Sequence, residues 1–226
     1  MNLVLKKMIY SGVHFGHPKR DWNPKMSPYI YKEKNGIHII DIIQTYFYLK
    51  KSAQFLEHAA SQGQTILFVG TNKQIAQIIK QAAINSNTFY VNKRWLGGLL
   101  TNWLNMRHSI MQLNQLNLLK LSSETLQVRM EKKYDRLQKY IGGLKEMRRL
   151  PDVVIIVGQQ RELNAVYECQ KLGLRTITIL DTNCNPRLVD LFIPANDDSR
   201  QSIKWILNTL SKSIVKGHQL YKDLNN

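Results

Sequence analysis

His14 and His17 stand three residues apart in His14-Phe15-Gly16-His17-Pro18-Lys19, a spacing at which two imidazoles can share a metal ion. No HExxH and no cysteine pair completes the three or four ligands a metal needs, because Cys169 and Cys184 are isolated from one another. Hydrogen-bonding or packing histidines are therefore expected, with no metal site. The acids Asp181, Asp190 and the pair Asp197-Asp198 fall after strand-like runs, where α/β proteins build ligand sites and where paired carboxylates can do acid–base work. Asp and Asn at such points also make Asx turns and helix caps, and Asn183-Cys184-Asn185-Pro186 reads as a turn, which favours a structural role. Gly70-Thr71-Asn72-Lys73 and Gly158-Gln159-Gln160-Arg161 each offer one glycine after a strand, without GxGxxG or GxxxxGKS/T to wrap amides around phosphates. Nor is there a nucleophile elbow or a Ser/His/Asp spacing. The expectation is a protein that is not an enzyme, with no catalytic residue, no cofactor and no small-molecule substrate. A nucleotide-dependent enzyme stays as the alternative, on fold analogy alone.

What the chain does have is positive charge. Its 226 residues carry 32 Lys and Arg against 16 Asp and Glu, a net +16. The excess is segregated: from His58 to Ser123 there is no acid, while Lys73, Lys80, Lys93, Arg94, Arg107 and Lys120 fall there. The first 34 residues add seven cations against Asp21 and Glu33, and Lys120 to Arg149 holds nine against four. An ordinary solvated surface mixes signs, so this pattern points to a polyanion, with Trp and Asn interleaved in Trp22-Asn23-Pro24-Lys25 and Asn92-Lys93-Arg94-Trp95. No basic helix has the Trp/Phe/Leu face of an interfacial membrane binder, so nucleic acid ranks above membrane. A general DNA-binding protein is a further alternative, but no helix-turn-helix or zinc-finger spacing supports it. Met1 to Tyr10 lacks an apolar h-region and a cleavage site, and no run approaches the length of a spanning helix, so neither a signal peptide nor a membrane span is expected.

The elements that position these residues alternate. An apolar run Ile37 to Ile43 leads into a helical pattern, Tyr46, Leu49, Ala53, Leu56 and Ala60, closed by Gly63. Strand-like Thr65 to Val69 precedes a helix over Lys73 to Asn85, and Phe89 to Val91 is a further strand. The grammar returns with Asp152 to Val157, a helix around Glu162 to Leu172, and strands Thr176 to Leu180 and Leu191 to Ile193. A last helix, capped by Asp198 or Ser199, is expected to end near Gly217. This is an α/β fold: a parallel sheet flanked by helices, flavodoxin- or Rossmann-like. Its middle breaks the pattern. Trp103, Met106, Ile110, Leu113 and Leu116, then Leu126, Met130, Tyr134, Leu137, Ile141 and Leu144, have coiled-coil spacings around a turn at Ser122-Ser123-Glu124. Residues 1–100 and 145–226 are therefore assigned to the α/β body, with 1–36 as a basic loop, and 101–144 to an inserted helical hairpin that projects from it. Covering helices of the sheet are the other reading of the pair.

Gly12-Val13-His14-Phe15-Gly16-His17, Trp22-Asn23-Pro24-Lys25-Met26, Asn35-Gly36-Ile37-His38-Ile39-Ile40-Asp41, Phe68-Val69-Gly70-Thr71, Arg94-Trp95-Leu96-Gly97-Gly98-Leu99-Leu100-Thr101-Asn102, Leu150-Pro151-Asp152 and Ile193-Pro194-Ala195-Asn196-Asp197-Asp198 occur in this order along nearly the whole chain. Together they resemble the bacterial-type small-ribosomal-subunit protein S-two family. The resemblance implies an α/β sandwich with a protruding coiled-coil hairpin, seated between head and body of the small subunit. It also implies ribosomal RNA and other small-subunit proteins as partners, a non-catalytic role, and help in holding the large RNA-chaperoning protein S-one where that is present. The 34 Asn and Gln, with Glu168-Cys169-Gln170-Lys171-Leu172-Gly173, are similar to plastid members. The expected place of work is the plastid (chloroplast) stroma, with bacterial cytoplasm as alternative. Pro18 departs from the family pattern and removes a backbone donor beside Lys19 and Arg20.

Under that reading Lys and Arg neutralise phosphates, while Trp, His and Asn pack on sugars or splayed bases. The expected RNA contacts are His14, His17, Lys19, Arg20, Trp22, Asn23 and Lys25 in the N-terminal stretch, Lys93 and Arg94 beside Trp95, Arg107 and His108 at the hairpin base, and Lys132 and Arg136 on its second helix. Trp95 itself reads as a packing anchor.

Overall fold

The computed structural model describes residues 2–122 and 128–225. It begins with helix α1 (Asn2–Tyr10), strands β1 (Phe15–Pro18), β2 (Ile30–Lys34) and β3 (Ile37–Ile40), and the long helix α2 (Ile42–Ser61). There follow β4 (Ile66–Val69), α3 (Ala76–Asn85), β5 (Phe89–Val91), α4 (Trp103–Ser122) and α5 (Val128–Ile141). The chain closes with β6 (Val153–Val157), α6 (Leu163–Leu172), β7 (Arg175–Leu180), β8 (Leu191–Pro194) and α7 (Arg200–Asn225). Ser123 and Glu124 of the expected turn, and Leu126, lie outside the described residues.

Five strands form a wholly parallel sheet in the order β5-β4-β6-β7-β8. Counted by parallel strands, this is the doubly wound order 2-1-3-4-5, which reverses direction between β4 and β6. Period-two alternation splits each buried strand between two cores. Ile66, Phe68, Val153, Ile155 and Val157 face α1, α2, α3 and α7, while Leu67, Val69, Val154 and Ile156 face the opposite layer. That second layer contains Ala165, Val166 and Cys169 of α6, but also Ile110 and Leu113 of α4 and Ile141 of α5. The inner ends of α4 and α5 thus cover the sheet. Farther out the two helices pair, with the Tyr134 hydroxyl donating to Asn117 Oδ1 at 3.0 Å.

Three expectations need correction. The run at Ile37 is not a strand of the parallel sheet: β3 pairs antiparallel with β1 and β2 in a separate three-stranded sheet. Residues 1–36 are accordingly not a loop, since α1, β1 and β2 occupy much of them. The last helix is started by Ser199, whose Oγ accepts from Ser202 N, but it runs through Gly217 to Asn225. Gly217 serves close approach instead of termination. A Cβ there would strike the Glu57 carbonyl oxygen and come within 2.6 Å of Ala60 Cβ, so its absence lets α7 lie tight on α2.

Candidate nucleic-acid interface

Parallel strands deliver their following loops to one rim, and here that rim collects cations. Lys93 and Arg94 follow β5, Lys73 follows β4 and Arg161 follows β6; all four are exposed and none has a carboxylate within ion-pairing distance among the described residues. Only Lys93 and Arg94 were expected as contacts. The position of Lys73 and Arg161 just past a strand is the signal by which sequence could have added the other two.

One carboxylate sets the loop that carries Arg94. Glu168, on α6, accepts from Trp95 Nε1 at 2.9 Å and from the backbone amides of Gly98, Leu100 and Thr101 at 2.8, 2.9 and 3.1 Å; the Thr101 hydroxyl adds a longer contact at 3.3 Å. Gly98 makes the turn at φ +81°, a conformation a side chain would strain. Partial burial works against the Glu168 charge, but the Trp95, Thr101, Leu100 and Gly98 donors outweigh it and hold the carboxyl below its ordinary range. Trp95 is buried, in keeping with a packing anchor.

At the switch point between β4 and β6, the place where nucleotide phosphates bind in this topology, the chain supplies its own anion. The buried Glu162 carboxylate accepts from Thr71 N at 2.7 Å and from the Thr71 hydroxyl at 2.5 Å, and burial raises its pKa. The amide that would greet a phosphate is already used.

The N-terminal strands lie over the opposite end of the same rim. His17 N donates to Thr182 Oγ1 at 2.9 Å and Asn23 N to the Thr182 carbonyl at 2.8 Å, just past β7. At about 4.8 Å per strand, this group lies roughly 15 Å from the β5 loop. Its members are mostly occupied. Lys19 Nζ pairs with Glu33 at 2.8 Å, Asn23 Oδ1 caps a short 3-10 turn through Lys25 N, Trp22 packs on His38 with ring centres 5.0 Å apart, and His14 is half-buried against Phe15, burial lowering its pKa. Arg20 and Lys25 remain exposed, although Arg20 Nε lies 3.4 Å from Asp21 Oδ2. Arg107, His108, Lys132 and Arg136 are all exposed on α4 and α5.

His17 is drawn into an acidic cluster that spacing along the chain could not reveal. Its Nδ1 lies 3.1 Å from Asp181 Oδ1 and its Nε2 3.5 Å from Asp198 Oδ2, and ligand atoms of His17, Asp181 and Asp197 fall within 4.8 Å of one another. A divalent cation fits such a donor set; a proton satisfies it too. The hydrogen bond to Asp181 pushes the imidazole up to about 9, while burial, with Asp181 beside it, pushes Asp197 up to about 8. Because the folded imidazole binds its proton more tightly than the unfolded one, its stabilisation is fully present below about pH 6.5 and is lost as pH rises through about 9. In chelator-treated protein, the stability advantage of the wild type over His17→Gln should therefore shrink by about 2 kcal/mol across that window. Urea titrations of both at several pH values check this; a constant difference would dismiss the pairing.

Comparison with known proteins matches the model of the family described as ribosomal protein S2 over residues 8–217. The chain is 52% identical to the small ribosomal subunit protein uS2c of Oltmannsiellopsis viridis, covering 99% of this chain and 96% of that one. It is 50% identical to the uS2c of Chlorella vulgaris, over 94% and 82% of the two chains. Against the uS2 of Microcystis aeruginosa identity is 49%, over 95% and 83%.

Proposed function

Because the chain belongs to the ribosomal protein S2 family, we propose that it is a structural component of the small ribosomal subunit whose cationic sheet rim binds small-subunit ribosomal RNA. The observation that carries this reading is the row of cations Lys73, Lys93, Arg94 and Arg161, unpaired among the described residues, along one rim of the sheet. Such a row neutralises phosphates and tracks backbone shape without reading sequence. The role is architectural. At the one place where the fold favours a nucleotide, Glu162 holds the amide.

Residues 101–144 act as an arm in this reading. Its base is fixed to the sheet by Ile110, Leu113 and Ile141, and its outer part stands off the body as a helical hairpin that extends the footprint. Leu104, Met111 and Leu118 recur every seventh residue on the outward face of α4, where they are half or more exposed, which supports neighbouring ribosomal proteins as partners. The place of work is the plastid ribosome, in line with the two algal uS2c relatives; the Microcystis relative keeps a bacterial cytoplasm as the alternative. Sedimentation of the tagged chain tests the proposal. It should travel with small subunits at low salt and be released as salt rises; a chain that stays at the top of the gradient at every salt would refute it.

A further inference from the structure

The loop fixed by Glu168 and the two helices of the arm enclose a pocket of about 350 Å³, within the range of small-molecule sites. Leu96 and Met106 supply an apolar floor, and Tyr140 is half-buried beside them. Three exposed cations from distant parts of the chain surround it: Arg94 from the loop, and Lys133 and Arg136 from α5. No acid lines it among the described residues. The α5 acids Glu131 and Asp135 fall on the far side of that helix, since residues two apart are turned about 200° from each other.

An apolar slot with an aromatic wall and an all-cationic rim fits a flat, uncharged group joined to anions on both sides. That is the chemistry of an unstacked nucleotide: a base for the slot, and phosphates before and after it for the rim. We propose that this pocket receives one unpaired base of ribosomal RNA, with its flanking phosphates held by Arg94, Lys133 and Arg136. The inference rests on the small-subunit reading above, and adds that single-stranded RNA is held differently from paired RNA.

Ser109 lines the pocket and carries no charge, so Ser109→Phe fills the slot while keeping every cation. The probes are a short single-stranded RNA carrying one 2-aminopurine and a fully paired RNA hairpin. Wild-type protein should change the 2-aminopurine emission on binding. Ser109→Phe should abolish that change and weaken single-strand binding roughly tenfold, the effect of losing one stacked base, while hairpin binding stays within about twofold. Equal affinities of variant and wild type for the single strand would overturn the proposal, as would equal losses on both probes. Should Ser109→Phe fail to fold, a photocrosslinker at exposed Lys133 in assembled subunits replaces it: crosslinks to RNA are expected, and crosslinks only to protein overturn the pocket's assignment. Salt-dependent binding of small-subunit RNA by wild type, with a silent Ser109→Phe, removes the pocket alone; failure of wild type to bind that RNA removes the whole reading.

Discussion

Replacing Glu168 by alanine should cost the protein about 3 kcal/mol of folding stability and should weaken RNA binding even where the chain remains folded. A hydrogen bond to a charged group contributes about 1.5–3 kcal/mol, and each buried donor left without a partner adds its own desolvation cost. Here one carboxylate serves Trp95 Nε1 and three backbone amides, and its removal strips the turn at Gly98 of its anchor. Some of those donors reach water, which is why the expected sum stays below four full bonds. Glu168→Gln should fall between wild type and alanine, keeping an acceptor but losing the charge. The wild-type advantage over that glutamine variant is present above the unfolded carboxyl value and lost as pH falls through the depressed folded one. Urea denaturation checks the stability. Filter binding at a temperature where both proteins are folded checks the second effect, since Arg94 shares the loop that Glu168 sets.

Reversing Lys93 and Arg94 together to glutamate should leave the melting temperature nearly unchanged and lower affinity for small-subunit RNA a hundredfold or more at low salt. Both side chains are exposed and unpaired among the described residues, so the fold loses little with them. Every phosphate that is no longer neutralised also flattens the logarithmic salt dependence by about 0.9, or somewhat less for unpaired RNA, and the new acids repel the backbone. Binding isotherms at several salt concentrations give both numbers. Unchanged affinity would remove this pair from the interface.

The parallel sheet was legible because its strands announce themselves. Val153 to Val157 is apolar at every position, as burial on both faces requires, and Gly158 ends it. Ile37–Ile40, apolar apart from His38 and followed by a helix in the same way, belongs instead to a small antiparallel sheet where burial alternates. Composition cannot tell which partner a short strand finds. Gly217 misled in a related way, because a glycine that ends a helix and one that lets two helices touch are the same letter.

For the site, charge was visible and geometry was not. Arg94 and Lys93 stood out beside Trp95, yet Glu168, which sets their loop, acts on donors 67 to 73 residues earlier in the chain. Likewise folding brings His17, expected as an RNA contact, to Asp181 from across most of the sequence. The N-terminal cations read alike in sequence, but Lys19 is paired with Glu33 while Lys25 is not paired among the described residues. Such pairing depends on which strands meet, and that is a tertiary property.

The central claim is that the rim Lys73, Lys93, Arg94 and Arg161 holds RNA by neutralising phosphates, and the salt dependence of wild-type binding to small-subunit ribosomal RNA measures that directly. With all four engaged, log affinity against log salt should fall with a slope of about −3 to −4 or steeper. A flat line, at any affinity, would contradict the account.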